Sequence, residues 1–258
     1  MSSAALVSCL KAVLLLGSFL MALKLYRTGL YLRYPIFFAF FIFRIPDSIW
    51  PLFLEVSSPL YQKVWVLTEP IEFGFYVLMV LELYKLVLEK YKGLYSLGRW
   101  ALYLSLAISV SISAISLLPR IKPSLPQSSR IMFYVLATER GIQTGLAIFI
   151  ILILCFLGLF PVKLSRNVRM QALVFSIFFL SSTFVVLMRS LFGLRLADVV
   201  NTVLLAVTAA SVVAWLTLLR TAGEDLPHEP VLYGQEHESR LLAHLDSLNA
   251  ALLRASNR

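Results

Sequence analysis

The stretch LATERGIQTGLAIFIILILCFLGLF, residues 136–160, places an acid and a base shortly before a long uncharged run. Residues 141–160 contain no Asp, Glu, Lys, Arg or His. A helix of ~20 apolar residues is long enough to cross the ~30 Å hydrocarbon core of a bilayer. The sequence therefore predicts a membrane-spanning helix here, with Glu139 and Arg140 at its outer boundary and not at mid-membrane.

The whole chain has the composition of a membrane protein. Its 258 residues are 59% hydrophobic and 14% charged, whereas soluble domains average ~45–50% and ~25%. Several apolar runs approach the length of a spanning helix, and the alternating strands of an outer-membrane barrel are missing. We therefore expect an all-α polytopic bundle whose main partner is the lipid bilayer. The net charge of +9 fits the loops of such a bundle, so no nucleic-acid partner is predicted.

Prolines, glycines and charge clusters divide the chain into seven predicted transmembrane helices. The predicted spans are 4–24, 35–54, 70–89, 100–119, 141–160, 170–189 and 198–219. Lys and Arg are more numerous in the segments that follow the odd-numbered spans. Because cytoplasmic loops carry the excess of Lys and Arg, the sequence predicts an N-out, C-in topology in the inner (plasma) membrane.

The chain divides into a seven-helix transmembrane domain, 1–222, and a cytosolic linker with an amphipathic helix, 223–258. Four leucines of the tail recur at intervals of four, three and four residues. They are Leu241, Leu245, Leu248 and Leu252. Such a seam is predicted to bind a protein partner or a second copy of the chain, or to pack against the chain's own inner loops.

The sequence predicts no metal site, cofactor or catalytic residue. The two cysteines, Cys9 and Cys155, show no paired spacing, and the three histidines all lie in the tail. The motifs of zinc proteases, phosphate-binding loops and activated nucleophiles are missing.

Ionisable side chains within or beside the spans are the candidate functional residues, because a charge at membrane depth is costly unless it is paired or hydrated. The candidate outer polar cluster comprises Arg44, Asp47, Glu69, Glu72, Glu139, Arg140 and Arg189. Its mixed signs favour interhelical ion pairs, or a pocket for a small zwitterionic or polar ligand, over a channel ring whose charges share one sign.

Parts of this cluster have local explanations. Asp47 follows Arg44 by three residues on nearly the same helix face, so both a local ion pair and a water-filled cavity fit. Glu69 and Glu72 lack a nearby basic partner on their own helix, and we expect them to find one across the bundle. Beside Glu139, the glycines of the GxxxG sequence 141–145 predict close packing against another helix. The polar facet there fits either a hydrogen-bonded contact or the lining of a pocket.

Two further expectations concern the second and third spans. Glu82, Lys85 and Glu89 are spaced to pair with one another on one helix face. The aromatic side chains around the second span are expected to face lipid and its interface, and the alternative is that they form a cage around a ligand. They are Phe37, Phe38, Phe40, Phe41, Phe43, Trp50 and Tyr76.

The seven-span layout and two short segments resemble a known family. The segments are LYLRYPIFFAF, residues 30–40, and LELYKLVLEKYKGLYSLGRW, residues 81–100. Together they make residues 1–220 similar to a family of seven-helix integral membrane proteins of acidobacteria. The resemblance implies a bacterial inner-membrane protein, and it transfers no functional residue because the family has no assigned activity.

Three functions fit these residues. The first is a non-enzymatic sensory or accessory membrane protein with an outward-facing polar cluster and a C-terminal helix that meets a partner inside. The second is a small-solute transporter. Against it, the uncharged run 146–160 offers no polar side chains that would continue a solute route toward the cytoplasmic side. The third is a carboxylate-dependent intramembrane enzyme, which would need two acids to converge on one reacting atom.

Overall fold

The computed structural model describes residues 3–54, 58–88, 92–117, 127–159, 164–192 and 197–223, with residues 243, 246–247, 249–251 and 254 of the tail. All regular secondary structure in these ranges is helical, which confirms the predicted class. The long helices are α1 (Ser3–Arg27), α2 (Pro35–Phe53), α3 (Pro59–Val87), α4 (Lys92–Leu117), α5 (Gln127–Leu159), α6 (Arg166–Phe192) and α7 (Ala197–Leu218).

Among the described residues, five helices are long and apolar enough to cross a membrane. They are Ala5–Arg27, Pro59–Val87, Ala137–Leu157, Arg166–Val185 and Val199–Leu218. These five overlap the first, third, fifth, sixth and seventh predicted spans. The second and fourth predicted spans form α2 and α4, which are not among the five. The chain is thus an all-helical protein with several helices suited to a membrane.

The four tail leucines fall outside the described residues. They are Leu241, Leu245, Leu248 and Leu252. The partner helix that they predict, and the division of the chain at residue 222, therefore stay predictions.

Local sequence sets where α2 and α3 begin. α2 starts at Pro35, whose fixed φ and missing N–H suit the first helical turn. Ser58 caps α3, because its hydroxyl accepts the N–H of Tyr61 at 3.1 Å, and Pro59 follows as the first helical residue. Before α2 the chain turns at Gly29, whose φ of 72° favours glycine.

Aromatic rings of α2 form the centre of the core, which corrects the expectation that they face lipid. Phe37 lies 5.9 Å from Phe175 of α6 and 5.1 Å from Trp215 of α7, between ring centroids. Phe40, Phe41 and Tyr76 are also buried. The prediction was wrong for these four. The uniformly apolar stretch before Arg44 carries no polar face to mark which side of α2 meets lipid. Tyr76 of α3 packs against Phe178 and Phe179 of α6, with 5.6 Å between ring centroids in both pairs.

Side chains tie the helix ends together at one end of the bundle, which we call the collar end. It comprises the C-terminal ends of α1, α3 and α7 and the N-terminal ends of α2, α4 and α6. Lys24 of α1 donates to the carbonyls of Leu216 and Leu219 near the end of α7, at 2.6 and 2.5 Å. Tyr84 of α3 donates to the carbonyl of Leu94 on α4 at 2.8 Å.

Asn167 makes the equivalent connection between α6 and α7. Its side-chain amide donates to the carbonyl of Arg220 at 2.7 Å and accepts the N–H of Arg220 at 3.2 Å. Gly223 packs so closely that a Cβ there would lie 2.2 Å from Oδ1 of Asn167. Because Asn167 is fully buried, these bonds satisfy a polar group that would otherwise be costly to bury.

The GxxxG sequence of α5 packs against α4, as the sequence predicts. A Cβ on Gly141 would lie 2.6 Å from Cα of Val110, and one on Gly145 would lie 3.1 Å from a methyl of Leu106. Glycine at these positions therefore lets the two backbones approach closely.

Candidate functional site

The predicted polar cluster centres on Arg44, in the second half of α2. Its guanidinium donates to the carboxylate of Glu72 on α3 and forms a 3.5 Å ion pair with Asp47 one turn further along α2. The side chains of Arg44, Glu72 and Asp47 are only 15%, 12% and 15% exposed. One cation thus joins two carboxylates inside the bundle. Glu72, which lacks a nearby basic partner on its own helix, pairs with a cation of another helix, as we expect from the sequence.

Aromatic side chains complete the coordination of this ion pair. Tyr76, one turn after Glu72, donates its hydroxyl to the same carboxylate. The indole N–H of Trp50 donates to Asp47 at 3.2 Å, and the guanidinium carbon of Arg44 lies 6.0 Å from the ring centroid of Phe40. Each charged group is therefore held by at least two neighbours, as a desolvated ion pair requires.

The other predicted members of the cluster have different surroundings. Glu69 lies within electrostatic range of Glu72, Glu139, Asp47 and Arg44, and among the described residues it makes no hydrogen bond or ion pair. Glu139 accepts from Gln143 on its own helix at 3.3 Å. The described contacts give Arg140 no ion pair. Arg189 lies on α6, but its side chain is outside the described part of the structure.

Glu82 does not form the predicted local ion set. It is buried, and its two carboxylate oxygens accept the N–H groups of Ile36 and Phe37 at 2.9 and 3.0 Å. The carboxylate therefore caps the N-terminus of α2, where free N–H groups and the helix dipole favour an anion. Lys85 is exposed, and Glu89 lies outside the described residues.

No family model, curated protein or solved structure matches this chain.

The cluster joins helices, and its acids converge on a cation. Asp47 and Glu72 both contact Arg44. The two carboxylates therefore come together around a guanidinium. In the described ranges, no group of three or more His, Cys, Asp or Glu side chains is placed to hold a metal ion. The arrangement can therefore fix α2 against α3. Among the described residues, Glu69 is an acid of the cluster that makes no hydrogen bond or ion pair.

A groove of about 320 Å³ between α6 and α7 lies apart from the cluster. It is lined by Leu180, Ser181, Phe184, Val185, Val203 and Val207. Because this lining is almost wholly apolar, the groove suits hydrocarbon better than the polar ligand that the charges suggest.

Sequence reasoning missed several residues that organise the site and the collar end. The contact between Tyr76 and Glu72 could be predicted, because Tyr76 follows Glu72 by four residues on the same helix face. Lys24 bonds to main-chain carbonyls at the end of α7 that lie 192 and 195 residues away in sequence. Asn167 bonds to the main chain of Arg220, which follows α7 and lies 53 residues away. No local pattern indicates such partners.

Proposed function

We propose that this chain is a multi-pass protein of the bacterial inner membrane with seven transmembrane helices, an N-out, C-in topology and a non-enzymatic accessory role. The observation that carries the proposal is the closed ion pair of Arg44 with Glu72 and Asp47. Charges that bind one another inside a bundle stabilise its shape, whereas a solute receptor keeps polar groups available for its ligand. A sensory role would depend on small movements of α2 against α3.

The charge distribution supports the proposed orientation. At the collar end the described helices expose Arg and Lys side chains, whereas Asp47, Glu69, Glu72 and Glu139 lie in the opposite half. An excess of cations at one end is typical of the cytoplasmic side. The acidobacterial family membership stays a prediction that fits this topology.

A screen for stabilising solutes tests the accessory role. Purified protein is heated with a panel of amino acids, polyamines, sugars and carboxylic acids, alongside the variant Arg44→Gln/Glu72→Gln. We expect that no compound raises the apparent Tm of the wild type in a way that the double variant abolishes. A solute that stabilises only the wild type would replace this proposal with a receptor or transporter.

Glu69 favours a small-solute transporter as the second candidate. It is a half-buried acid without a hydrogen bond among the described residues, and it lies near three other carboxylates. Such a group suits a route for a cationic or zwitterionic solute. Uptake into proteoliposomes that Glu69→Gln abolishes, and Lys63→Gln does not, would favour this function.

A further inference from the structure

We propose that the collar end binds the headgroups of anionic phospholipids. The inference rests on the proposed membrane location of the chain and goes beyond it, because it names a ligand class and the side chains that recognise it. The side chains form what we call the basic face. It comprises exposed Arg27, Arg33, Lys85, Arg99, Arg166, Arg169 and Arg220.

The basic face is one-sided in charge. Among the described residues up to Gly223, no exposed Asp or Glu lies at the collar end. Glu82 is the acid that the described helices place there, and it is buried against the N-terminus of α2. The cations on this face therefore lack an exposed carboxylate from the described helices to neutralise them.

Hydrogen bonds at the collar end tie together the main chain that carries several of these cations. Arg166 and Arg169 flank Asn167, which binds the main chain of Arg220. Lys24 bonds to α7 and lies within electrostatic range of Arg220. The main chain of Arg220 is thus held against the start of α6, beside Arg166 and Arg169.

Exposed aromatic rings indicate the depth at which the basic face lies. Tyr26 of α1 and Trp100 of α4 are 64% and 69% exposed, and each neighbours a cation of the basic face, Arg27 or Arg99. Tyrosine and tryptophan are enriched where the hydrocarbon of a bilayer gives way to headgroups. Cations beside them are therefore at the level of lipid phosphates.

The side-chain chemistry favours phosphate as the ligand. Six of the seven cations of the basic face are arginine, whose planar guanidinium matches phosphate oxygens with two parallel hydrogen bonds. Each cation near an anionic membrane surface raises association by roughly fivefold. A phospholipid with a net negative headgroup should therefore be preferred over a zwitterionic one with the same acyl chains.

Retention of spin-labelled lipids by the full-length protein in bilayers tests this preference. Phosphatidylglycerol is compared with phosphatidylcholine of identical acyl chains, and the motionally restricted fraction is measured by electron paramagnetic resonance. We expect the wild type to restrict phosphatidylglycerol several-fold more. Arg166→Gln/Arg169→Gln should lower that ratio by about twofold or more, because two of the seven cations are lost. The matched control Lys11→Gln/Lys63→Gln, which removes two exposed cations from the opposite end, should leave it unchanged.

Three outcomes would overturn the inference. One is equal restriction of both lipids by the wild type, and another is an equal loss of preference in both double variants. The third is a preference for phosphatidylglycerol that appears only when the acidic start of the tail is neutralised, in Glu224→Gln/Asp225→Asn. This result would mean that the chain's own tail occupies the basic face. Flotation with neutral vesicles is measured first. Failure to float contradicts the proposed membrane location, whereas floating without lipid preference contradicts only this inference.

Discussion

Glu72 of α3 accepts hydrogen bonds from both Arg44 of α2 and Tyr76 of its own helix, and its side chain is 12% exposed. Removing the anion would leave the buried guanidinium with Asp47 at 3.5 Å as its remaining ion-pair partner. This relationship makes the polar cluster a structural element of the α2–α3 contact.

Glu72→Gln should lower the stability of the protein, whereas Glu69→Gln should not. Breaking a buried pair costs about 3–5 kcal/mol, which corresponds to a fall of roughly 6–20 °C in Tm for a chain of this size. Glu69 makes no hydrogen bond within the described structure, and its amide would relieve repulsion from neighbouring carboxylates. Thermal unfolding in one detergent compares the two variants. Equal losses in both would contradict the distinction.

Glu82→Ala should loosen the start of α2. It removes both acceptors from the N–H groups of Ile36 and Phe37, and an unsatisfied buried group costs about 1–3 kcal/mol. Hydrogen exchange of these two amides should accelerate together with the fall in Tm. Lys85→Ala, on the exposed face of the same helix, is the control and should leave both readouts unchanged.

Gly141→Ala should destabilise the contact between α4 and α5. The new methyl would lie 2.6 Å from Cα of Val110, and overpacking of this kind costs about 1–3 kcal/mol. Gly74→Ala is the matched helical control, because its Cβ would meet nothing within 4 Å. Equal Tm values for Gly141→Ala and Gly74→Ala would contradict the close approach of α4 and α5.

Asn167→Ala should weaken the connection between α6 and α7 at the collar end. The substitution removes two hydrogen bonds to the main chain of Arg220, each contributing about 1 kcal/mol, and leaves buried groups unsatisfied. The exposed Asn201 of α7 supplies the control Asn201→Ala. Tm and protease resistance of the chain after residue 220 should fall for Asn167→Ala alone.

The sequence predicts the helical class well because the apolar runs are long and uninterrupted, as in 141–160. It also predicts the GxxxG contact, since this contact depends on two glycines about one helical turn apart. The same local reasoning finds Asp47 near Arg44. Interhelical partners depend on rotation about each helix axis, and this rotation is not encoded in short patterns.

Two wrong predictions arise because the sequence does not encode this rotation. Glu82 has a suitable partner one turn away in Lys85, yet it binds main-chain N–H groups of α2 that tertiary packing brings to it. Phe37, Phe40 and Phe41 lie in a stretch that is apolar on every side, so its sequence cannot separate core from lipid contact. Their burial against α3, α6 and α7 follows from the position of α2 in the bundle.

A double-mutant cycle on Arg44 and Glu72 tests the central claim most directly. The free energy of unfolding in mixed micelles is measured for Arg44→Gln, Glu72→Gln and the double variant. If the two side chains stabilise the bundle as a closed pair, the double variant should be more stable than the sum of the single losses predicts, by about 1–3 kcal/mol. Losses that simply add would show that the two groups act independently, and would contradict the account of this cluster as an interhelical ion pair.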